Sequence, residues 1–414
     1  MKRLIKLTSA VIISSCIIGL ISSIFLQMLD LAGTLRSTRT LVLIPVVGVL
    51  TAFCYSKLGE NLKKGNNLVI ETADGGNPKR IPLRMAFMTF IFTILTHLSG
   101  ASAGREGTAV QIGGTVTSTA SSIFRLGRGD TRTMILSGIS AGFGSVFGTP
   151  FAGAIFGLEV CGIGNLRYSA VIPCFASAYI ADFTARIAGA VHEGHIIDTV
   201  PPLSPLLLIA LVCAAVAFGI VGREFSVCIR LIKNFWAHVI KNIYLRALAA
   251  SLVVLACILI FGLYDYEGLS TWLIDSGFNG TSDIADPFWK FILTSLTLGA
   301  GFQGGEVTPL FGIGSSLGSC IAQLFGQPSA LFAAVGMICV FGSAANTPLA
   351  TIALGIELFG TEALPFIVLC ALISYLVSGH RGIYGSQKII TPKLRSFARI
   401  SGKRLSALTD KTKK

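Results

Sequence analysis

Charge is scarce in this chain. Of its 414 residues 13% are charged, against roughly 25% in soluble domains. Between Lys290 and Glu357 the sole charge is Glu306, and residues 307–356 hold none. That excludes an ordinary soluble fold. The ten cysteines include no CxxC pair and no Cys/His cluster, so neither a disulfide framework nor a structural zinc site is expected. No paired nucleophile and base appears, so an intramembrane enzyme is not expected either, and no cofactor or metal is implied.

What the chain has instead is apolar runs and glycine. Hydrophobic residues make up 52% and the mean hydropathy is +0.75. A helical bilayer crossing needs about 20 apolar residues. Runs such as 8–29 and 133–158 meet that length, and ten to twelve such segments can be counted. The chain reads as an all-α polytopic membrane protein. The first run follows "MKRLIK" but lacks a clear cleavage site, so it reads as a membrane helix and not as a signal peptide.

The net charge of +13 comes from Lys and Arg at the termini and between apolar runs, as in "FRLGRGDTR" at 124–132. This is the positive-inside pattern, not a nucleic-acid surface. Both termini are basic, so both are expected in the cytoplasm. A short basic tail runs from 391 to 414.

Glycine, at 46 residues, is about one in nine against a usual share of roughly 7%. It allows helices to pack closely and to break in mid-membrane where the freed backbone lines a cavity.

The chain also resembles itself. Residues 138–159 and 336–357 share nine identities in 22 positions at an offset of 198, including Phe-Gly-Ser, Thr-Pro and a final Glu. Upstream, "GREGT" at 104 meets "GGEVT" at 304, so Gly104, Glu106 and Thr108 recur as Gly304, Glu306 and Thr308. Two repeats are expected, 1–200 and 201–390. The loop between the motifs holds Arg125, Arg128 and Arg132 in the first copy, while "LFGQPSA" in the second has no Lys or Arg. Equivalent loops thus differ in the feature that marks the cytoplasmic side. The halves should therefore lie upside down to each other, with broken helices meeting at mid-membrane.

Glu106 and Glu306 then hold equivalent places. A lone acid at a helix centre costs about 2.5–3.5 kcal/mol on insertion scales. Each follows glycine and opens a helix-like stretch, with Pro309 suited to a first turn. A helix N-terminus carries unpaired N–H groups and about half a positive charge, so it can hold an anion or the protein's own carboxylate.

"GREGT" with "VQIGG", then "AGFGSVFGTPFAGAIFGLE", "GNNLVIE" at 65–71 and "HRGIYGSQ" at 380–387 resemble the CLC family of anion channels and proton-coupled anion transporters. Thr108 after "GREG", "GNNLV" at the first anion-binding helix and "GEVTP" in the second half are most similar to its fluoride-exporting bacterial CLC-F branch. The resemblance implies a proton-coupled fluoride exporter, the alternative being a chloride channel or chloride/proton exchanger of the same fold. It implies Glu106 as the gate and Tyr384 as the central phenol. Asn66 or Asn67 stands in for the family's anion-binding serine, and Glu306 and Thr308 are branch-specific path residues. Gly107, Thr108 and Val307 would offer anion-binding groups at the two helix starts. A homodimer with one pathway per subunit is implied, with fluoride or chloride, protons and lipid as partners and no nucleic acid. The family's internal relay glutamate is missing: "AIFGLEV" has Glu159 beside it and Val160 in its place.

Each residue also has a plainer reading. Glu306 could be tied to backbone amides, Tyr384 could sit in an interfacial belt, and Asn66 or Asn67 could cap a helix. Glu159 and Glu357 read as helix-end residues, "GREFS" at 222–226 as a cytoplasmic loop, and "HEGH" at 192–195 as a polar loop.

Overall fold

The computed structural model describes residues 1–77, 80–192, 194–197 and 200–409. Its helices fall into two series of eight. The first runs α1 (Lys2–Leu35), α2 (Leu43–Leu58), α3 (Asn66–Ala73), α4 (Arg84–Leu98), α5 (Glu106–Ile123), α6 (Arg128–Phe147), α7 (Pro150–Glu159) and α8 (Val171–Ile187). The second runs α9 (Pro205–Val239), α10 (Ile243–Phe261), α11 (Trp272–Asn279), α12 (Ala285–Ala300), α13 (Val307–Leu324), α14 (Ser329–Ala345), α15 (Pro348–Phe359) and α16 (Leu364–Val377). A long helix opens each series, with 34 residues in α1 and 35 in α9, and an eight-residue helix is third in both. Among the described residues, six helical stretches are long and apolar enough to cross a membrane, and four shorter apolar helices accompany them.

The two series run in opposite directions, and one pair of carboxylates makes this visible. Glu357, near the end of α15, accepts from Phe151 N at 2.9 Å and Ala152 N at 2.8 Å at the start of α7. Glu159, at the end of α7, accepts from Leu349 N at 3.2 Å and Ala350 N at 2.9 Å at the start of α15. Each helix end therefore meets the other helix's start, so these equivalent helices are antiparallel. Both glutamates are helix-end residues, as expected, and each also satisfies orphan N–H groups of the opposite repeat.

Glycine sets the centre. Gly113 of α5 and Gly138 of α6 pack so closely that a Cβ on either would collide with the other's backbone, and Gly314 of α13 and Gly336 of α14 repeat the contact. α5 and α13 are buried on nearly all sides, as expected of central helices. Around them, large apolar side chains point outward, such as Ile172, Phe183 and Ile187 on α8.

One expectation changes. Residues 222–226 are not a loop: they lie inside α9, with Gly222 against Ser343 and Phe225 buried. At about 1.5 Å per residue this helix far exceeds a hydrocarbon core of about 30 Å, so its charged end continues as helix. The segment leading into the tail pairs with the first repeat. Strand β1 (Gly162–Ile163) pairs in parallel with β2 (Lys388–Ile389), and Ile163, Ile389 and Leu405 form a small buried cluster. A last short helix, α17, spans Leu405–Thr409. The loop around 192–195 is polar, with His195 Nε2 at 2.9 Å from Asp275 Oδ1; its residue 193 lies outside the described residues.

Candidate functional site

α4 and α12 stop short, and their chains turn back into α5 and α13 through residues 99–105 and 301–306. These two loops meet. Gly104 and Gly305 form an antiparallel bridge, each N–H donating to the other's carbonyl at 2.7 Å. Such an approach needs glycine: a Cβ on Gly305 would lie 2.7 Å from the amide nitrogen of Gly107. The two helix starts are thereby held side by side.

Glu106 is the first residue of α5 and is fully buried. Its carboxylate crosses to the other repeat. Oε2 accepts from Thr308 N at 3.1 Å and from Arg105 N at 3.1 Å, and Oε1 accepts from the Thr308 hydroxyl. The Arg105 guanidinium adds a looser ion pair at 3.7 Å. So Glu106 occupies the N-terminus of α13 as an anion would.

Glu306 is the N-cap residue of α13, but its side chain makes no cap hydrogen bond. Oε2 is buried without a hydrogen-bond partner. One carboxylate oxygen is thus free of backbone amides, while the residue's own amide interacts with the carboxylate. Gly107 shows where it points: a Cβ there would lie 3.4 Å from Glu306 Oε2 and 2.8 Å from Asn66 Nδ2. Asn66, the first residue of α3, is buried and its Oδ1 has no partner. Gly107, Asn66 and Glu306 therefore face one another. The turn into α3 uses Gly65 at φ 51°, a conformation favoured by glycine.

The other expected residues divide. Asn67 does not face this group: its Oδ1 accepts from Ser386 N at 2.8 Å, fastening α3 to the segment after Tyr384. Neither asparagine caps α3. The Thr108 hydroxyl is taken up by α4, 2.6 Å from Thr93 Oγ1 and 3.4 Å from Thr89 Oγ1. Val307 is buried in the first turn of α13. Tyr384 is 2% exposed, far from a belt position, and stacks edge-on against Phe156 at 6.3 Å. It lies near both Glu106 and Glu306, and its hydroxyl makes no hydrogen bond to the described residues.

Sequence reasoning missed two polar groups here. Gln111, one turn beyond Glu106, is buried beside Gly65 with an unpartnered Oε1. Lys290 is fully buried in α12. A lysine inside the apolar text "FWKFILTSL" was the available signal for the second; nothing distinguished the first.

Antiparallel repeats with a carboxylate seated on the opposite repeat's helix start define an inverted-repeat anion-transport protein. The chain belongs to the voltage-gated chloride channel family, whose model matches residues 47–379. It is 42% identical over 380 residues, 90% of this chain and 84% of the relative, to a chloride/fluoride channel protein of Pseudomonas syringae pv. tomato. It is 29% identical over 312 residues, 69% of this chain and 65% of the relative, to the H(+)/Cl(-) exchange transporter ClcA of Vibrio cholerae. Among solved structures it resembles a CLC-type fluoride/proton antiporter with TM-score 0.90 and 34% identity, covering 93% of this chain and 98% of that one. A slow cyanobacterial Cl-/H+ antiporter matches with TM-score 0.78 at 19% identity over 98% of each chain, which speaks for the fold alone.

Proposed function

We propose that this protein exports fluoride in exchange for protons. It would act in the bacterial inner membrane as a homodimer, with both termini in the cytoplasm. In this reading 1–200 and 201–390 are the transport repeats and 391–414 is a cytoplasmic tail. One observation carries the proposal: the Glu106 carboxylate uses the Thr308 amide and hydroxyl, the donors that a small anion would use. Ionised, Glu106 excludes the anion. Protonated, it loses its claim on those donors and releases them, so proton uptake is linked to access by the anion.

Fluoride is small, strongly hydrated and a strong acceptor, so it needs compact donors to replace its water. Thr308 supplies an O–H and an N–H together. Asn66 Nδ2 beside Gly107 extends that set toward the α3 start, and Tyr384, the central phenol by resemblance, is a further candidate donor. Glu306 is an acceptor when ionised and a donor only when protonated. It is the candidate to carry the proton that Val160 cannot. The likeness to a CLC-type fluoride/proton antiporter supports the same assignment.

A second reading, a chloride channel or chloride/proton exchanger, is favoured by the relatives whose names include chloride. Efflux from proteoliposomes, followed with fluoride and chloride electrodes, separates the two. The proposal expects fluoride efflux well above chloride efflux; equal rates, or chloride faster, would reject it.

A further inference from the structure

Lys290 lies in α12, with none of its surface exposed. Its ammonium donates to Gly268 O at 2.8 Å, Ser102 Oγ at 2.9 Å and Ser270 Oγ at 2.9 Å, with Tyr266 O further off at 3.2 Å. An ammonium has three N–H groups, so its donors are used in full. Every acceptor is neutral. A buried cation without a carboxylate is costly, and a well-packed apolar side chain at such a site is often at least as stable. Packing alone does not account for this lysine.

Its partners join the two repeats. Gly268 and Ser270 belong to the loop before α11. Ser102 belongs to the first-repeat loop 99–105, two residues before Gly104. Ser102 Oγ accepts from Lys290 and also shares a hydrogen bond with Thr294 Oγ1, 2.8 Å away and one turn along α12, in which either hydroxyl can donate. α12 thus grips Ser102 with two side chains. Beyond Ser102 come Gly104, bonded to Gly305, and then Glu106, bonded to Thr308. The grip is one-sided: at the offset that relates Glu106 to Glu306, the residue matching Lys290 is Phe90 of α4.

The charged and titratable groups around the lysine are few. Arg36 Nε lies 3.4 Å from Glu267 Oε2, and Arg36 also reaches the Glu267 carbonyl at 3.2 Å. His97, buried in α4, holds Thr93 O through Nδ1 at 2.8 Å. None of these donates to Ser102; His97 approaches the Ala103 backbone and Glu267 lies against Gly100 elsewhere in the loop, so the hold on Ser102 itself runs through Lys290 and Thr294.

We propose that Lys290 is a positioning residue for transport: through Ser102 it fixes loop 99–105 so that Glu106 stays in register with Thr308. The inference rests on the exchange reading above. A slack loop lets Glu106 leave the α13 start without a proton, so fluoride slips through uncoupled. The lysine touches neither ion. Its effect is on the ratio of protons to fluoride, whereas a purely structural lysine would change only the amount of folded protein.

The test is the proton-to-fluoride flux ratio in proteoliposomes, for Lys290→Met, Ser102→Ala, their combination and Ser270→Ala, each first checked for dimer and thermal stability. Expected is a ratio lowered about threefold to tenfold in Lys290→Met and Ser102→Ala. The double variant should be no worse than Lys290→Met alone, since both cut one linkage. Ser270→Ala, on the scaffold side, should keep the wild-type ratio even if stability falls. Should Lys290→Met fail to fold, Ser102→Ala carries the test by itself. A wild-type ratio in every folded variant, beside a coupled wild type, overturns the inference alone. A wild type that moves fluoride without protons overturns the exchange reading and the inference with it.

Discussion

Glu106, the first residue of one repeat's central helix, is bonded to Thr308, the second residue of the other's. The first residue of one half's helix caps the start of the other's. The two loops that make this possible pair through Gly104 and Gly305, so neither repeat holds its half of the site alone. On the proposed exchange mechanism this bond breaks and re-forms in each cycle.

Removing the titrating group is the first prediction. Glu106→Gln keeps the shape and fixes the neutral form. Coupled exchange should disappear, leaving at most passive fluoride flow. Proton-driven fluoride accumulation at the wild-type rate would show that the gate lies elsewhere.

Thr308→Val and Glu306→Gln separate path from cap. Loss of a cap costs about 0.5–2 kcal/mol of stability and leaves selectivity alone. Loss of a path donor changes transport in folded protein. Thr308→Val should reduce fluoride-over-chloride preference on the order of tenfold, the value of one hydrogen bond to a charged group. Glu306→Gln should lower proton flux more than fluoride flux. Wild-type coupling and preference in both, in folded dimers, would leave only the cap.

The swapped carboxylates Glu159 and Glu357 should behave differently. Each satisfies two amides at the opposite helix start. Replacing either with Ala should cost about 0.5–2 kcal/mol, from lost N–H partners and the helix dipole. Thermal denaturation in detergent measures this. Flux per folded dimer should stay near wild type; a lost proton coupling in Glu159→Ala would instead make that residue part of the proton route.

Orientation is open to labelling. In a cysteine-free background, Arg128→Cys should react with an impermeant maleimide only from the cytoplasmic side, and Gln327→Cys only from outside. Reaction of both from one side would contradict the inverted repeats across the bilayer.

Much of this was legible because it repeats. The matched texts at 138–159 and 336–357 announced the duplication, and the arginines at 125–132 announced the inversion. Glu106 and Glu306 stood out as charges in apolar text. The cross-repeat partners did not, because a hydrogen bond such as Glu106 to Thr308 spans 202 residues and no local pattern encodes it. The same holds for Asn67, whose partner Ser386 lies 319 residues away. "GREFS" misled because its charges suggest a loop, while α9 simply outruns the membrane. Thr108 matched Thr308 in the repeat, yet its hydroxyl faces Thr93, since α4 has threonines there and α12 does not.

The central claim is that fluoride movement and proton movement are one process. Proteoliposomes loaded with fluoride, at equal pH inside and out, are diluted into fluoride-free medium and followed with a pH electrode. The account predicts that fluoride leaving pulls protons inward against their own gradient, so the medium turns alkaline. It also predicts that Glu106→Gln abolishes this uphill movement and that a chloride gradient drives little of it. Fluoride leaving with no proton uptake, or a chloride gradient driving protons equally well, would contradict it.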